Sequence, residues 1–157
     1  MSSNNSTSNR ELKVSRLLNA PRELVWDAFT KPEHVKHWWG PDGFTNTISQ
    51  MDVKKDGVWE LTMHGPDGRD YPNKIIFLEV LKPERIVYRH VNDAETEGVS
   101  FLTTITLEAQ GEKTLFTMHG LFDTAEELQR VVKEYGAAEG MIQTVSRLDE
   151  YITTQMA

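Results

Sequence analysis

Five histidines are the side chains of this sequence best suited to binding a metal or moving a proton: His34, His37, His64, His90 and His119. His34 and His37 lie three residues apart on one predicted helix, but no carboxylate accompanies them in the HExxH pattern of a helical zinc site. His64 and His119 each precede a glycine at a predicted strand end, which is typical of turns. We therefore predict no metal site, and surface or turn positions for these four histidines.

His90 differs from the other four because of its strand neighbours. In RIVYRHV (85–91) it shares one face with Ile86 and Tyr88, and that face is expected to point inward. A half-buried histidine beside a tyrosine can orient a polar ligand group or act as a base. A core histidine with a satisfied hydrogen bond fits the same pattern. One histidine without a partner specifies no reaction.

Nucleophilic and phosphate-binding motifs are missing from the sequence. There is no cysteine, no GxSxG elbow, no glycine-rich phosphate loop and no acid pair at a diagnostic spacing. We predict no catalytic residue and no cofactor, and we leave open whether the protein is an enzyme.

Length and charge narrow the class of protein further. A chain of 157 residues suits one domain. The net charge of −7 disfavours binding to nucleic acid. No apolar run is long enough to span a membrane, and the lack of cysteine fits a cytoplasmic protein. MSSNNSTSN (1–9) is too polar to order itself or to act as a signal peptide, so we predict a disordered tail there.

The spacing of hydrophobic residues along the sequence assigns these residues to helices and strands. Partial alternation predicts a first strand at 10–19, and helical stripes predict two short helices at 21–31 and 32–39. TAEE (124–127) is a capping box that opens a long C-terminal helix, with a kink or break near Gly136 and an end near residue 154. Period-two segments separated by turn residues predict six further strands, at 45–53, 57–64, 71–82, 85–92, 99–109 and 113–120.

This order of elements predicts an α+β fold. A seven-stranded antiparallel sheet, too twisted to lie flat, would curl around the long C-terminal helix, with the two short helices after strand one. Sheet and helix would pack closely at one end and leave a cavity at the other.

Apolar walls with a few polar groups are typical of small-molecule sites. We therefore predict ligand-binding residues among the inward-facing aromatic, methionine and polar side chains, although core packing alone explains most of them. The predicted set is Trp38, Trp39, Phe44, Trp59, Met63, Tyr71, Phe77, Tyr88, His90, Phe101, Thr103, Phe116, Met118, Met141 and Val145.

Adjacent tryptophans in HVKHWWGPDGF (34–44) point about 100° apart on a helix. One of Trp38 and Trp39 would then pack beneath the sheet edge and the other would face the cavity mouth, with Phe44 closing the rim. Alternatively, both pack against the first and last helices.

Three segments carry a family resemblance: NAPRELVWDAFTKPEHVKHWWGPDGF (19–44), FLEVLKPERIVYRH (77–90) and EGMIQTVSRLDEYI (139–152). Over residues 10 to 154 the chain resembles homologues of the heat-shock-protein-90 ATPase activator. That family belongs to the START-like, birch-pollen-allergen-like superfamily with the helix-grip fold. The resemblance implies a single START-like helix-grip domain over 10–157. It also implies an apolar or amphipathic ligand held under the long helix.

The resemblance further implies two alternatives to ligand binding without catalysis. One is a protein-interaction module related to chaperone activation and the stress response, with the Trp38–Phe44 rim as an exposed apolar patch. However, only nine residues precede the first predicted strand, so we expect the separate N-terminal domain of the named co-chaperone to be missing. The other is a cyclase- or dehydratase-like enzyme that uses His90 or Tyr88.

Two further expectations concern the helix start and self-association. Met141 stands where the family often has an aromatic residue, which implies a softer cavity wall. An exposed strand edge or the rim would support a homodimer.

Overall fold

A single antiparallel sheet dominates the fold. The computed structural model describes residues 10–90 and 101–156, apart from the side chains of residues 131, 134, 135 and 137. Seven strands pair in the order β1-β7-β6-β5-β4-β3-β2, so β1 and β2 form the edges. The strands are β1 Glu11–Leu18, β2 Thr45–Met51, β3 Val58–His64, β4 Asp70–Leu81, β5 Arg85–His90, β6 Phe101–Gln110 and β7 Lys113–Phe122.

Alternation of side chains makes one face of this sheet apolar. Along β7 every second residue from Thr114 to Phe122 is buried, as period-two alternation requires of a sheet with one covered face. Register shifts between Ile48 and Gln50 in β2, and between Phe77 and Glu79 in β4, interrupt the pairing. Such bulges bend and twist strands, which fits the curling predicted from strand number.

Four helices cover the apolar face. They are α1 Arg22–Thr30, α2 Pro32–Val35, α3 Ala125–Tyr135 and α4 Ala137–Tyr151, followed by a π-helical turn at Ile152–Met156. The predicted break at Gly136 is confirmed, because this glycine adopts a left-handed φ of 64° between α3 and α4. Thr124 also caps α3 as predicted, with its hydroxyl accepting from the Glu127 amide at 3.0 Å.

The predicted helix at 32–39 is wrong in length. Regular α2 ends at Val35, and the chain continues through a turn to Trp38. The amides of His37 and Trp38 donate to carbonyls only three residues back, which is the tighter 3₁₀ pattern common at helix ends. Trp38 therefore lies on a turn, and Trp39 follows this turn with its amide donating to the Val35 carbonyl at 3.0 Å.

An aromatic cluster fills one end of the space between sheet and helices. The Phe29 ring of α1 lies 5.8 Å from Trp38, 5.7 Å from Trp39 and 6.2 Å from Trp59 between ring centroids. Trp39 and Trp59 approach to 4.9 Å. These rings are the closely packed end that the sequence predicts.

The predicted α+β fold of seven curled antiparallel strands and a C-terminal helix is confirmed. The predicted tail at 1–9 and the loop at 92–98 lie outside the described residues. Within the described ranges, no helix has both the length and the apolar character needed to cross a membrane.

Candidate functional site

A cavity of about 300 Å³ lies between the sheet and α4, beyond the aromatic cluster. Strands β1, β3, β5, β6 and β7 form its floor, and α4 with the segment after α2 forms its roof. Its lining residues are Leu12, Trp39, Gly40, Pro41, Met63, Tyr88, His90, Phe101, Thr103, Met118, Phe122, Gly136, Gly140, Met141 and Thr144. Most of these are apolar, as in small-molecule sites generally.

Polar groups gather at one place on the cavity floor. Tyr88 of β5 and Thr103 of β6 are cross-strand partners, and their hydroxyls share a hydrogen bond. The His90 ring centroid lies 6.0 Å from that of Tyr88. Strand alternation places these side chains together, because residues 88 and 90 share one face of β5.

Burial changes the acid–base character of these groups. It lowers the pKa of His90 to about 4, because enclosure by protein penalises the charged imidazolium even though the ring borders the cavity. Burial also raises the pKa of Tyr88, and the hydrogen bond from Thr103 offsets only part of this rise. Both side chains are therefore neutral near pH 7.

Three stacked rings stand in a row across adjacent strands. His90 stacks on Phe101 at 4.8 Å, and Phe101 stacks on Phe122 at 4.6 Å between centroids. These distances match the spacing of neighbouring strands. Phe101 therefore stacks on two neighbouring rings and also lines the cavity.

One arginine of α4 holds the segment that roofs the cavity. Arg147 Nη1 donates to the carbonyl oxygens of Trp39, Gly40 and Pro41 at 3.3, 2.9 and 2.7 Å. Its Nη2 donates to two further carbonyl oxygens, those of residues 37 and 44, at 3.2 and 3.0 Å. Arg147 therefore binds five main-chain carbonyls of the segment that follows α2.

Other contacts add to this attachment. Asn46 Nδ2 donates to the carbonyl of Trp39 at 3.0 Å, and the amide of Asp42 donates to Gln143 Oε1 at 3.0 Å. Gly140 lets α4 approach the segment closely, because a Cβ at this position would lie 3.2 Å from Pro41 Cγ. The roof is thus built from loop and helix together.

The structure brings eight of the predicted site residues to the cavity: Trp39, Met63, Tyr88, His90, Phe101, Thr103, Met118 and Met141. Seven others do not line it. Trp38, Trp59, Phe77, Phe116 and Val145 are buried in the core, because the aromatic cluster fills that end. Phe44 packs on Tyr71 at 5.9 Å, so these two rings lie away from the cavity and Phe44 does not close it.

The two adjacent tryptophans lie in different regions, Trp38 in the packed core and Trp39 at the cavity. Trp38 is 1% exposed and donates its indole N–H to the Ala28 carbonyl at 3.0 Å. Trp39 lines the cavity and is 8% exposed. Neither indole is exposed enough to form the apolar docking patch that the interaction hypothesis required.

Sequence reasoning missed Leu12, Gly40, Pro41, Phe122, Gly136, Gly140 and Thr144 as lining residues. Phe122 was missed because the last strand was expected to end at residue 120, although it continues the alternation of Met118. Thr144 lies one helical turn from Met141, so helical spacing could have found it. Gly40, Pro41 and Gly140 line the cavity through chain packing that no local pattern encodes.

The remaining four histidines lie outside the cavity, and three of them make polar contacts there, while His37 stacks on Tyr151. His34 Nδ1 shares a hydrogen bond with the Tyr151 hydroxyl at 2.8 Å. His64 lies 2.7 Å from an Asp70 carboxylate oxygen, and His119 lies 2.6 Å from one of Glu11. Among residues 10–90 and 101–156, no three His, Asp or Glu side chains are grouped to hold a metal ion.

Comparison with known proteins adds a family and a set of related folds. The family model described as "Activator of Hsp90 ATPase homolog 1-like protein" matches residues 19–153. No curated protein matches the chain.

Three solved bacterial structures have similar folds. A crystal structure from Nitrosomonas europaea has 25% identity and a TM-score of 0.82, covering 94% of this chain and 97% of that one. A solution structure from Arthrobacter aurescens has 20% identity and a TM-score of 0.85, covering 98% and 91%. A crystal structure from Mycobacterium smegmatis has 22% identity and a TM-score of 0.82, covering 97% and 96%.

Proposed function

The chain belongs to the family of Activator of Hsp90 ATPase homolog 1-like proteins, and we propose that it binds an apolar or amphipathic small molecule between sheet and α4. The observation that carries this proposal is the cavity of about 300 Å³ at the end of the interior that the aromatic cluster leaves open. Its volume is at the lower end of the range for small-molecule sites. A molecule of two or three rings, or a chain of about ten carbons, suits such a space.

Keeping this space open has a cost that a ligand would offset. The apolar side chains around this space lack packing partners on the side that faces it, and a ligand would supply those contacts. Gly120 illustrates the point, since its position on β7 faces the same space. A Cβ there would meet Met141, Phe101 and Phe122 at 3.6–3.7 Å, which is ordinary contact. An alanine would therefore fit at position 120 without displacing its neighbours.

Binding without catalysis is the form of the proposal that the cavity chemistry favours. A base is most effective when its pKa lies near the working pH, whereas burial lowers the pKa of His90 to about 4. Tyr88 is unsuitable for the opposite reason, because burial raises its pKa above the usual value.

We propose a cytoplasmic location, since a chain without cysteine suits a reducing compartment.

Titration with the neutral fluorophore N-phenyl-1-naphthylamine tests the proposal. We expect saturable binding to the wild-type protein and at least tenfold weaker binding to Gly120→Leu, whose side chain would occupy the cavity. Gly120→Ala should have a smaller effect. Ala109→Leu is the matched control, because residue 109 is on an exposed part of β6. Equal binding to Gly120→Leu and wild type would remove the cavity as the site.

A further inference from the structure

The described part of the cavity wall has no charged side chain, and this bears on which ligands can bind. Among the described residues that line it, none is Asp, Glu, Lys or Arg. Two arginines come near from behind the wall, and both donate to main-chain carbonyls. Arg147 donates to the roof segment, and Arg10 Nη1 donates to the Phe122 carbonyl at 2.6 Å. Neither guanidinium lines the cavity, and the carboxylates of Asp42 and Glu150 interact with the charge of Arg147.

The polar groups on the floor offer dipoles in place of charge. The Tyr88 and Thr103 hydroxyls share a hydrogen bond, and the His90 imidazole lies beside them, stacked on Phe101. The Thr144 hydroxyl on the roof donates to the Gly140 carbonyl at 2.8 Å. Burial keeps His90 neutral at physiological pH, so it supplies no cation to pair with an anionic ligand.

We propose that this cavity selects uncharged ligands that carry a hydroxyl or carbonyl group, and rejects carboxylates and sulfonates of the same skeleton. The inference rests on the proposed function, since it specifies the ligand of the same site. An ion moved from water into an apolar site without a partner loses several kcal/mol of solvation. A neutral ligand hydroxyl can replace its hydrogen bonds to water with hydrogen bonds to the polar side chains of Tyr88, His90 and Thr103.

A pair of fluorophores that differ by one charge tests the selection. N-phenyl-1-naphthylamine is neutral, and 8-anilinonaphthalene-1-sulfonate is the same skeleton with one sulfonate. At pH 7.4 we expect the dissociation constant of the sulfonate to be at least tenfold larger. Cavity binding is the part of the probe fluorescence that the wild-type protein produces and Gly120→Leu does not. Equal affinities, or tighter sulfonate binding, would overturn the inference and leave the binding proposal standing; no cavity binding of either probe would overturn both.

A charge placed on the wall should reverse the preference. Met141 lines the cavity, whereas its neighbour Ile142 is 49% exposed on the outer side of α4. We expect Met141→Arg to weaken binding of the neutral probe and strengthen binding of the sulfonate, changing their affinity ratio at least tenfold. Ile142→Arg should leave the ratio unchanged. The same ratio in both variants would contradict the inference.

A second ligand pair keeps the test decisive if Met141→Arg does not fold. Decanol and decanoate have the same chain length and differ in charge at pH 7.4. Each is added as a competitor against N-phenyl-1-naphthylamine bound to the wild-type protein. We expect decanol to displace the probe at concentrations at least tenfold lower than decanoate. Equal competition would show that the cavity tolerates an anion, and would overturn the inference.

Discussion

Replacement of Arg147 by methionine should detach the roof of the cavity. Methionine keeps part of the apolar stem of arginine and removes every donor. Five carbonyl oxygens in residues 37–44 would then lose the guanidinium that now lies 2.7–3.3 Å away. Burial lowers the pKa of Arg147, partly offset by Asp42 and Glu150, but an arginine in this setting stays charged.

The size of the effect follows from the number of bonds and their exposure. A hydrogen bond contributes about 0.5–1.5 kcal/mol net, and more when one partner is charged. Nη1 and Nη2 have four N–H groups to share among the five carbonyls, and four bonds at about 1.5 kcal/mol give a sum of roughly 6 kcal/mol. Carbonyls at the surface of the loop regain water once the guanidinium is gone, so we expect a loss of about 2–4 kcal/mol in the free energy of unfolding.

Urea unfolding of Arg147→Met measures this loss, with Arg16→Met as the matched control. Arg16 also contacts α4, through Asp149 at 2.7 Å, but its side chain is 46% exposed. An exposed ion pair contributes about 0–1 kcal/mol, so the control should lose less than half as much. Arg147→Lys should recover only part of the stability, because one ammonium cannot replace a planar fork of donors.

Amide hydrogen exchange locates the effect. The Asp42 amide donates to Gln143 and the Phe44 amide donates to the Pro41 carbonyl, so both should exchange faster in Arg147→Met and not in Arg16→Met. A loss below about 1 kcal/mol, or one no larger than in Arg16→Met, would refute the idea that Arg147 holds the roof. Unchanged exchange at both amides would refute it as well.

Three further substitutions test other parts of the structure. Between pH 6.5 and 4 the unfolded state takes up a proton at His90 that the folded state does not bind. Wild type should therefore lose stability on acidification by up to about 3 kcal/mol more than His90→Gln. Urea unfolding at several pH values checks this, and Tyr88, a titratable neighbour of His90 among the described residues, stays neutral throughout. Trp38→Phe should cost about 2–3 kcal/mol, because it leaves a gap and removes the bond to the Ala28 carbonyl; equal denaturation midpoints for Trp38→Phe and wild type would contradict this. Gly120→Ala should raise the thermal midpoint, since it adds about 0.5–1 kcal/mol by limiting the unfolded chain and filling space; a lower midpoint would mean that the added Cβ strains β7.

The sheet was largely predictable because strand alternation is a local signal. Every strand was placed from period-two segments and turn residues, with errors of a few residues at the ends. The helix break at Gly136 was predictable for the same reason, since glycine favours such a conformation whatever surrounds it. The helix at 32–39 was overestimated because the spacing of Val35, Trp38 and Trp39 is also met by a turn of 3₁₀ geometry.

The site was only partly predictable because a cavity is a property of packing. Alternation assigns Tyr88, Phe101 and Phe116 equally to the inner face. It cannot state that Phe116 meets the ring of Phe29 at 6.5 Å while Phe101 borders open space. The role of Arg147 depends on carbonyls a hundred residues earlier in the chain, and no pattern around Arg147 indicates them.

The pairing of β1 with β7 has a consequence for synthesis of the chain. Leu18 meets Thr114, and Glu11 meets Leu121, so the first and the seventh strand of this sheet are paired. Until β7 leaves the exit tunnel, β1 has no neighbour within the sheet and the apolar side of the meander is uncovered. Such long-range closure slows folding, so this domain should acquire its protease resistance only after β7 has left the exit tunnel.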